Sequence, residues 1–248
     1  MSYRRYLAVG VAVFLLILVI NFPAGYVRGT LQEALPGLQL GNLSGSVFSG
    51  QSGSASYAGL DLGTVDWRLQ PLALLLLRIE YRLAISHPDN SGHVTVGVKA
   101  GGDVYGKSLD MQLLPDRLLN RFSPVTLVTR GSVEMLVDTF ELEGEQLRNV
   151  TGTVHWRDGA IESPLVLPLG DLGMVLESRE ATLAAVVNRG GDMGLSGEIL
   201  LQPGNRYAVD LVLKPAGGLA SETRDLLDAT LQRHPAGGYM LKTNGTLQ

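Results

Sequence analysis

The stretch "RYAVDLVLK", Arg206–Lys214, decides the fold class. Tyr207, Val209, Leu211 and Leu213 alternate with Arg206, Asp210 and Lys214, the period of a strand with one apolar and one polar face. The same period recurs along the chain. "GTVDWRL" sets Val65, Trp67 and Leu69 against Thr64, Asp66 and Arg68. "HVTVGVKA" sets Val94, Val96 and Val98 against His93, Thr95 and Lys99, and "SLDMQLL" sets Leu109, Met111 and Leu113 against Ser108, Asp110 and Gln112. Abundant glycine (31 residues) and sparse aromatics suit many short strands joined by tight turns. Helical signal is confined to "SETRDLLDATLQRH", with Ser221 as N-cap, a stripe of Leu226, Leu227, Thr230 and Leu231, and Pro235 as stop, and to a shorter "PDRLLNRF" at Pro115–Phe122. The expectation is a mainly β fold: a curved, mostly antiparallel sheet.

Two phrases suggest that the sheet was written twice. "NLSGSV" at Asn42–Val47 matches "NVTGTV" at Asn149–Val154, and "DLGTV" at Asp61–Val65 matches "DLGMV" at Asp171–Val175. "LDMQLLPDRLL" at Leu109–Leu119 resembles "VDLVLKPAGGL" at Val209–Leu219, and each is followed by a helix candidate and a closing strand, "TRGSV" and "TNGTL". The order implies two degenerate β-meander repeats, each with a short late helix, at 42–137 and 149–248, joined by a connection at 138–148. Gly45 and Gly152 fall inside strand-like runs at matching places, where glycine implies a bend, a bulge or close backbone packing. Trp67 and Trp156 lie on strands near the repeated phrase, as sheet-packing residues.

The N-terminus sets the compartment. After Arg4 and Arg5, the 22 residues Tyr6–Val27 carry no charge, enough to cross a hydrocarbon core of about 30 Å as a helix. Its most apolar part, Leu7–Ile20, is also short enough for a secretory signal peptide, but a small-x-small cleavage site is hard to find, since Ala24 and Gly25 follow Phe22 and Pro23. The reading is a retained single-pass transmembrane anchor at 6–27. By the positive-inside rule, residues 1–5 are then cytoplasmic and everything after Arg28 lies across the membrane, in the periplasm of a bacterium. Residues 28–41 read as a linker, and "PLALLLL", Pro71–Leu77, as a buried segment too short to span.

Chemistry is hard to find. Net charge is −4 without a basic stripe, so nucleic acid is not an expected partner. Cysteine is absent, which excludes disulfides, thiol nucleophiles and thiolate metal sites. No G-x-S-x-G, G-x-x-x-x-G-K-[ST] or G-x-G-x-x-G motif occurs. His87, His93, His155 and His234 lack zinc-ligand spacing and read as solvent-facing loop residues. Asp61, Asp66, Asp171 and Glu177 sit on polar strand faces or turns. No catalytic, metal or cofactor residues are expected, which favours an assembly or binding role over an enzyme.

"NFPAGYV" with Pro23-Ala24 after the anchor, the strand end Trp67-x-Leu69-x-Pro71, the Leu-rich Leu72–Leu77, the strand Tyr207–Pro215 and the closing Gly238–Leu247 together resemble the type II secretion system protein N family. One departure is Phe48, where that family usually has Trp. The resemblance spans essentially the whole chain. It implies a non-enzymatic inner-membrane accessory of the machine that exports folded proteins through an outer-membrane secretin, with the secretin and the inner-membrane platform proteins as partners. A different class remains open: AsmA-like periplasmic proteins carry apolar β-grooves that bind or transfer lipid. The two are discriminated by whether helices cover the apolar sheet faces.

Overall fold

The computed structural model describes residues 21–35, 37–57, 59–120, 126–143, 146–163, 166–204, 206–215, 217 and 221–246. They fall into two compact units that divide between Asn90 and Ser91, inside the stretch 42–137 read as one repeat.

The first unit is built on a short antiparallel sheet. Pro23 forms an isolated bridge with Ser46, a 3-10 turn covers Ala24–Val27, and α1 spans Arg28–Ala34. β1 (Leu38–Leu40) and β2 (Leu43–Gly45) both pair with β3 (Ser49–Tyr57), which pairs with β4 (Leu60–Leu69), which pairs with β5 (Arg78–His87). A one-turn helix, α2 (Pro71–Leu74), lies between β4 and β5. Val65, Trp67 and Leu69 are half-buried while Asp66 and Arg68 are exposed, as the alternation implies.

The second unit holds β6 (Asn90–Lys99), β7 (Val104–Leu113), α3 (Pro115–Leu119), β8 (Val128–Glu143), β9 (Gln146–Ser163), β10 (Leu167–Arg179), β11 (Thr182–Gly190), β12 (Ser196–Gln202), β13 (Arg206–Leu213), α4 (Ser221–Thr230), β14 (Gln232–Arg233) and β15 (Tyr239–Thr246). Strands β6 to β13 lie side by side in sequence order, and β15 then sits between β13 and β14. The ladder pairs are antiparallel from β7 onward. Asn149 (φ 51°) and Asp158 (φ 50°), both in the left-handed region, sit where β9 slips register against β8, while Ser108 (φ 52°) is left-handed within β7 where the register against β8 runs unbroken.

Its core forms where α4 lies on the sheet. Leu227 is buried with Leu167, Leu169, Leu172, Met193, Leu213 and Tyr239, and Leu231, Leu241, Leu195, Ile161 and Trp156 pack around them. A second cluster joins Val137, Val150 and Leu176 to half-buried Leu109, Met135, Phe140, Leu147, Val154, Leu183 and Ala185. All its members are strand residues or lie in strand β8–β11 and β7 ladders, and no helix residue belongs to it.

Several expectations need correction. Leu72, Leu75, Leu76 and Leu77 are exposed, with only Ala73 of that run buried, because the chain makes a turn at the end of β4 instead of entering a core. The linker 28–41 contains α1 and β1. β6 does not alternate: Val94 and Thr95, which point to opposite faces, are both buried, and Val98 is exposed. The helix from Ser221 ends at Thr230 because Gln232 and Arg233 pair with Met240 and Tyr239, and Ser221 is its first residue. The shorter helix ends at Leu119, where the Asn120 amide takes over by bonding both N–H and C=O of Leu127. His87, His93 and His155 lie on strands, and of the four only His234 is in a loop.

The anchor falls mostly on residues 1–20, outside the described residues, as do Arg4 and Arg5. Among the described residues no helix is long and apolar enough to cross a membrane. The last part of the expected span belongs to the folded unit: the Val47 N–H donates to the Phe22 carbonyl, and Ala24 is buried.

Candidate interaction surface

The two tryptophans are placed alike. The Trp67 indole N–H donates to the Ser46 carbonyl at 3.0 Å, and the Trp156 indole N–H donates to the Arg130 carbonyl at 3.0 Å. Each ring lies where a glycine Cβ would be: Trp67 over its register partner Gly50, and Trp156 against Gly131 and Gly159. The device recurs with Tyr105 over Gly97, Phe140 over Gly106 and Tyr207 over Gly245. Glycine in a strand lacks a side chain to pack. A neighbouring ring laid over it restores apolar contact and shields the backbone, so these aromatics are structural.

Gly45 and Gly152 are both positions of close backbone approach. Gly45 ends β2 at φ 87°, and a Cβ there would come 2.6 Å from the Ser49 carbonyl oxygen. Gly152 is buried within β9 opposite Val137, beside a register slip, and a Cβ there would come 2.9 Å from the Val137 Cα. Pro23 starts the first unit through its bridge to Ser46.

Polar groups gather in two places. A cavity of about 510 Å³ is lined by Asp158, Gly170, Asp171, Arg189, Gly190, Gly191 and Asp192. There Arg189 lies 3.3 Å from Asp171, which also accepts the Asp158 N–H at 3.1 Å. These bonds tie the neighbouring strands β9, β10 and β11 together, and the cluster presents neither histidine nor cysteine. In the first unit the His87 Nδ1 accepts the Asp89 N–H at 3.1 Å, with Asp61 3.7 Å from Nε2. Among the described residues no group of three side chains is arranged to hold a metal ion. Asp66 is exposed on β4, and Glu177 pairs with Arg179, which also holds Glu198. Those two carboxylates push the Arg179 guanidinium further up. The Lys99 ammonium, 2.7 Å away, and then the Asn149 amide hold the Glu141 carboxyl below its ordinary range. Burial pushes the Tyr239 phenol up, helped by its hydrogen bond to Asp228. The Glu141 bonds join β8 to β6 and β9, those of Arg179 reach Glu177 on its own strand and Glu198 on β12, and that of Tyr239 joins β15 to α4.

The exposed apolar turn after β4 is the feature that sequence reasoning misplaced. An unalternating leucine run reads as core. The signal against this was Gln70-Pro71 before it and Arg78 after it, which bound the run with a turn signal and a charge.

The family model described as "Type II secretion system (T2SS), protein N" matches residues 36–242. The chain is 27% identical over 236 residues to type II secretion system protein N of Aeromonas hydrophila, covering 93% of each chain. It is 26% identical over 238 residues to type II secretion system protein N of Vibrio cholerae serotype O1, covering 92% of each. No solved structure matches the chain. The matched region contains β1 to β13, α4 and the start of β15, so the whole ladder just described is the family's domain, and the chain belongs to the type II secretion system protein N family.

Proposed function

We propose that this chain is an inner-membrane-anchored, periplasmic accessory of the type II secretion system that braces the export of folded proteins across the outer membrane. The observation that carries this is the family match across residues 36–242. In this reading residues 1–5 are cytoplasmic, the stretch from Tyr6 is a retained anchor, and the β-domain faces the periplasm. Its partners are the outer-membrane secretin and the inner-membrane platform proteins. The sheet is two degenerate repeats, a reading supported by the matching strand–helix–strand series β7–α3–β8 and β13–α4–β15. The register slips at Asn149 and Asp158 support curvature of the sheet.

The test has two arms. A reporter active only in the periplasm, fused after Gln248, should be active. In a secretion assay, Leu211→Asp should remove the protein by burying a charge, whereas Ala at His87, His155, Asp66 or Glu177 should leave export near normal. One polar variant that stays folded and abundant yet abolishes export would overturn the scaffold reading.

One observation favours the lipid-binding reading as a second choice. α4 contributes Leu227 to one apolar cluster, whereas among the described residues the cluster around Val137, Val150 and Leu176 includes no helix residue. Lipid co-purifying with the full chain, and lost on a Val154→Asp substitution, would move the balance to a lipid groove.

A further inference from the structure

The turn from β4 to β5 exposes six apolar side chains within eight residues: Leu72 77%, Leu74 45%, Leu75 80%, Leu76 68%, Leu77 76% and Ile79 51%. Such a patch marks a docking or membrane site. The turn is ordered: the N–H groups of Leu75, Leu76 and Leu77 donate to the carbonyls of Leu72, Ala73 and Leu74, and the Gln70 N–H closes its base on the Glu80 carbonyl. Leu77 is held at φ 54°, a conformation a leucine seldom adopts. The fold therefore presents these leucines.

Their position identifies the occupant. The Val47 N–H donates to the Phe22 carbonyl at 2.9 Å, and the adjacent Phe48 carbonyl accepts the Leu69 N–H at 2.7 Å. Phe22 and the leucine turn thus lie at one end of the same small sheet, about 10 Å apart by two strand spacings. Into Phe22 runs the uncharged stretch that begins at Tyr6. Phe22 and Tyr26 are themselves exposed, with ring centroids 5.5 Å apart, and Tyr is a residue type enriched at membrane–water boundaries. Beside the turn, Arg68 and Arg82 face each other directly across β4 and β5, both exposed and neither in an ion pair with a described residue. Like charges set opposite each other destabilise a sheet unless anions neutralise them, and lipid phosphates at the level of the turn's base would do so.

We infer that the Leu72–Ile79 turn is a second membrane contact, which inserts its leucines into the periplasm-facing leaflet beside the anchor, with Arg68 and Arg82 at the headgroups. It rests on the retained-anchor reading above. Tethering by the anchor makes the insertion intramolecular, so a contact too weak to recruit a free domain is occupied. Its consequence is orientation: two fixed points hold the first unit at a defined tilt on the bilayer.

The cysteine-free chain allows the test directly. Single cysteines replace Leu16, Leu76 or Tyr57 in the full chain, Tyr57 lying at the far end of β3. Each is labelled with an environment-sensitive fluorophore in vesicles of phosphatidylethanolamine and phosphatidylglycerol, and quenched either by nitroxide-labelled lipid or by aqueous iodide. The Leu16 and Leu76 labels should lose most of their fluorescence to lipid nitroxide, and the Tyr57 label only to iodide. In the Leu72→Asp, Leu75→Asp background the Leu76 label should become as iodide-sensitive as Tyr57, with Leu16 unchanged. Lipid quenching at Leu16 without quenching at Leu76 overturns the inference and leaves the anchor standing. Shielding of Leu76 from both quenchers points to a protein partner and also overturns it. No lipid quenching at Leu16 sinks the anchor reading and this one together.

Discussion

Leu227 is the test of whether α4 is part of the fold or an appendage. Its side chain is 3% exposed, enclosed by residues from β10, β13, β15 and the Met193 turn. Leu227→Ala removes three carbons and leaves a cavity that the surrounding strands, held by their ladders, can fill only in part. Fully buried Leu→Ala changes cost about 2–5 kcal/mol, and a site walled by backbone-paired strands argues for about 3. For a unit of this size that is a fall in Tm of about 6–12 °C, at roughly 2–4 °C per kcal/mol. The assay is thermal unfolding of the full chain in detergent, followed by circular dichroism, with Leu75→Ala as the matched control. Leu75 is 80% exposed and its truncation should stay within about 0.5 kcal/mol of the parent. A Leu227→Ala shift no larger than that of Leu75→Ala would refute the docking of α4 and, with it, the covered core.

The remaining expectations concern glycine, acid and the indoles. Gly131 sits at φ 100° with the Asp158 carbonyl oxygen 2.8 Å from where a Cβ would lie, so Gly131→Ala should destabilise by more than about 1 kcal/mol, whereas Gly29→Ala, in open space on α1, should stabilise by up to about 1; denaturant titration compares them. The Glu141 carboxyl is held low in the folded state, so its contribution is present above the ordinary carboxylate range and lost as pH falls through the lowered folded value; Glu141→Gln should flatten stability across that acid window and leave the profile at neutral pH and above parallel to the parent. Trp156→Phe keeps the ring over Gly131 but loses the bond to the Arg130 carbonyl, and should cost about 1 kcal/mol in the same titration, with complete unfolding refuting a purely local role.

The strands were legible because alternation is a direct consequence of a half-covered sheet. β13 is the clear case: Leu211 and Leu213 are buried while Arg206 and Asp210 are exposed, as read from nine letters. Alternation failed in β6, where both faces are covered over Val94 and Thr95 and period two carries no information about facing. The register slips at Asn149 and Asp158 were invisible, since a single left-handed residue leaves no pattern. α1 was missed because "RGTLQEA" is short, lacks a side-chain cap and buries no residue. The leucine turn shows the opposite error: hydrophobicity reports the environment a side chain prefers, which need not be the protein's own interior. The charged residues of the strands were legible as polar-face positions, and several are held in ion pairs such as Arg179 with Glu177 on β10 and with Glu198 on β12.

The order of strands in the second unit has a consequence for how the chain acquires its shape. From β6 to β13 every strand bonds the one made just before it, so each can be laid down as soon as it exists, without waiting for a distant segment. Long-range loop closure, the slow step of many β-proteins, is deferred to the end. There β15 must pass β14 to reach β13, and α4 must close over strands as far back as β10. A chain released from its N-terminal side first can assemble in that sequence, exposing one growing edge at a time. The last seam to form would be that of α4 and β15, which makes it the first to open when the protein is strained.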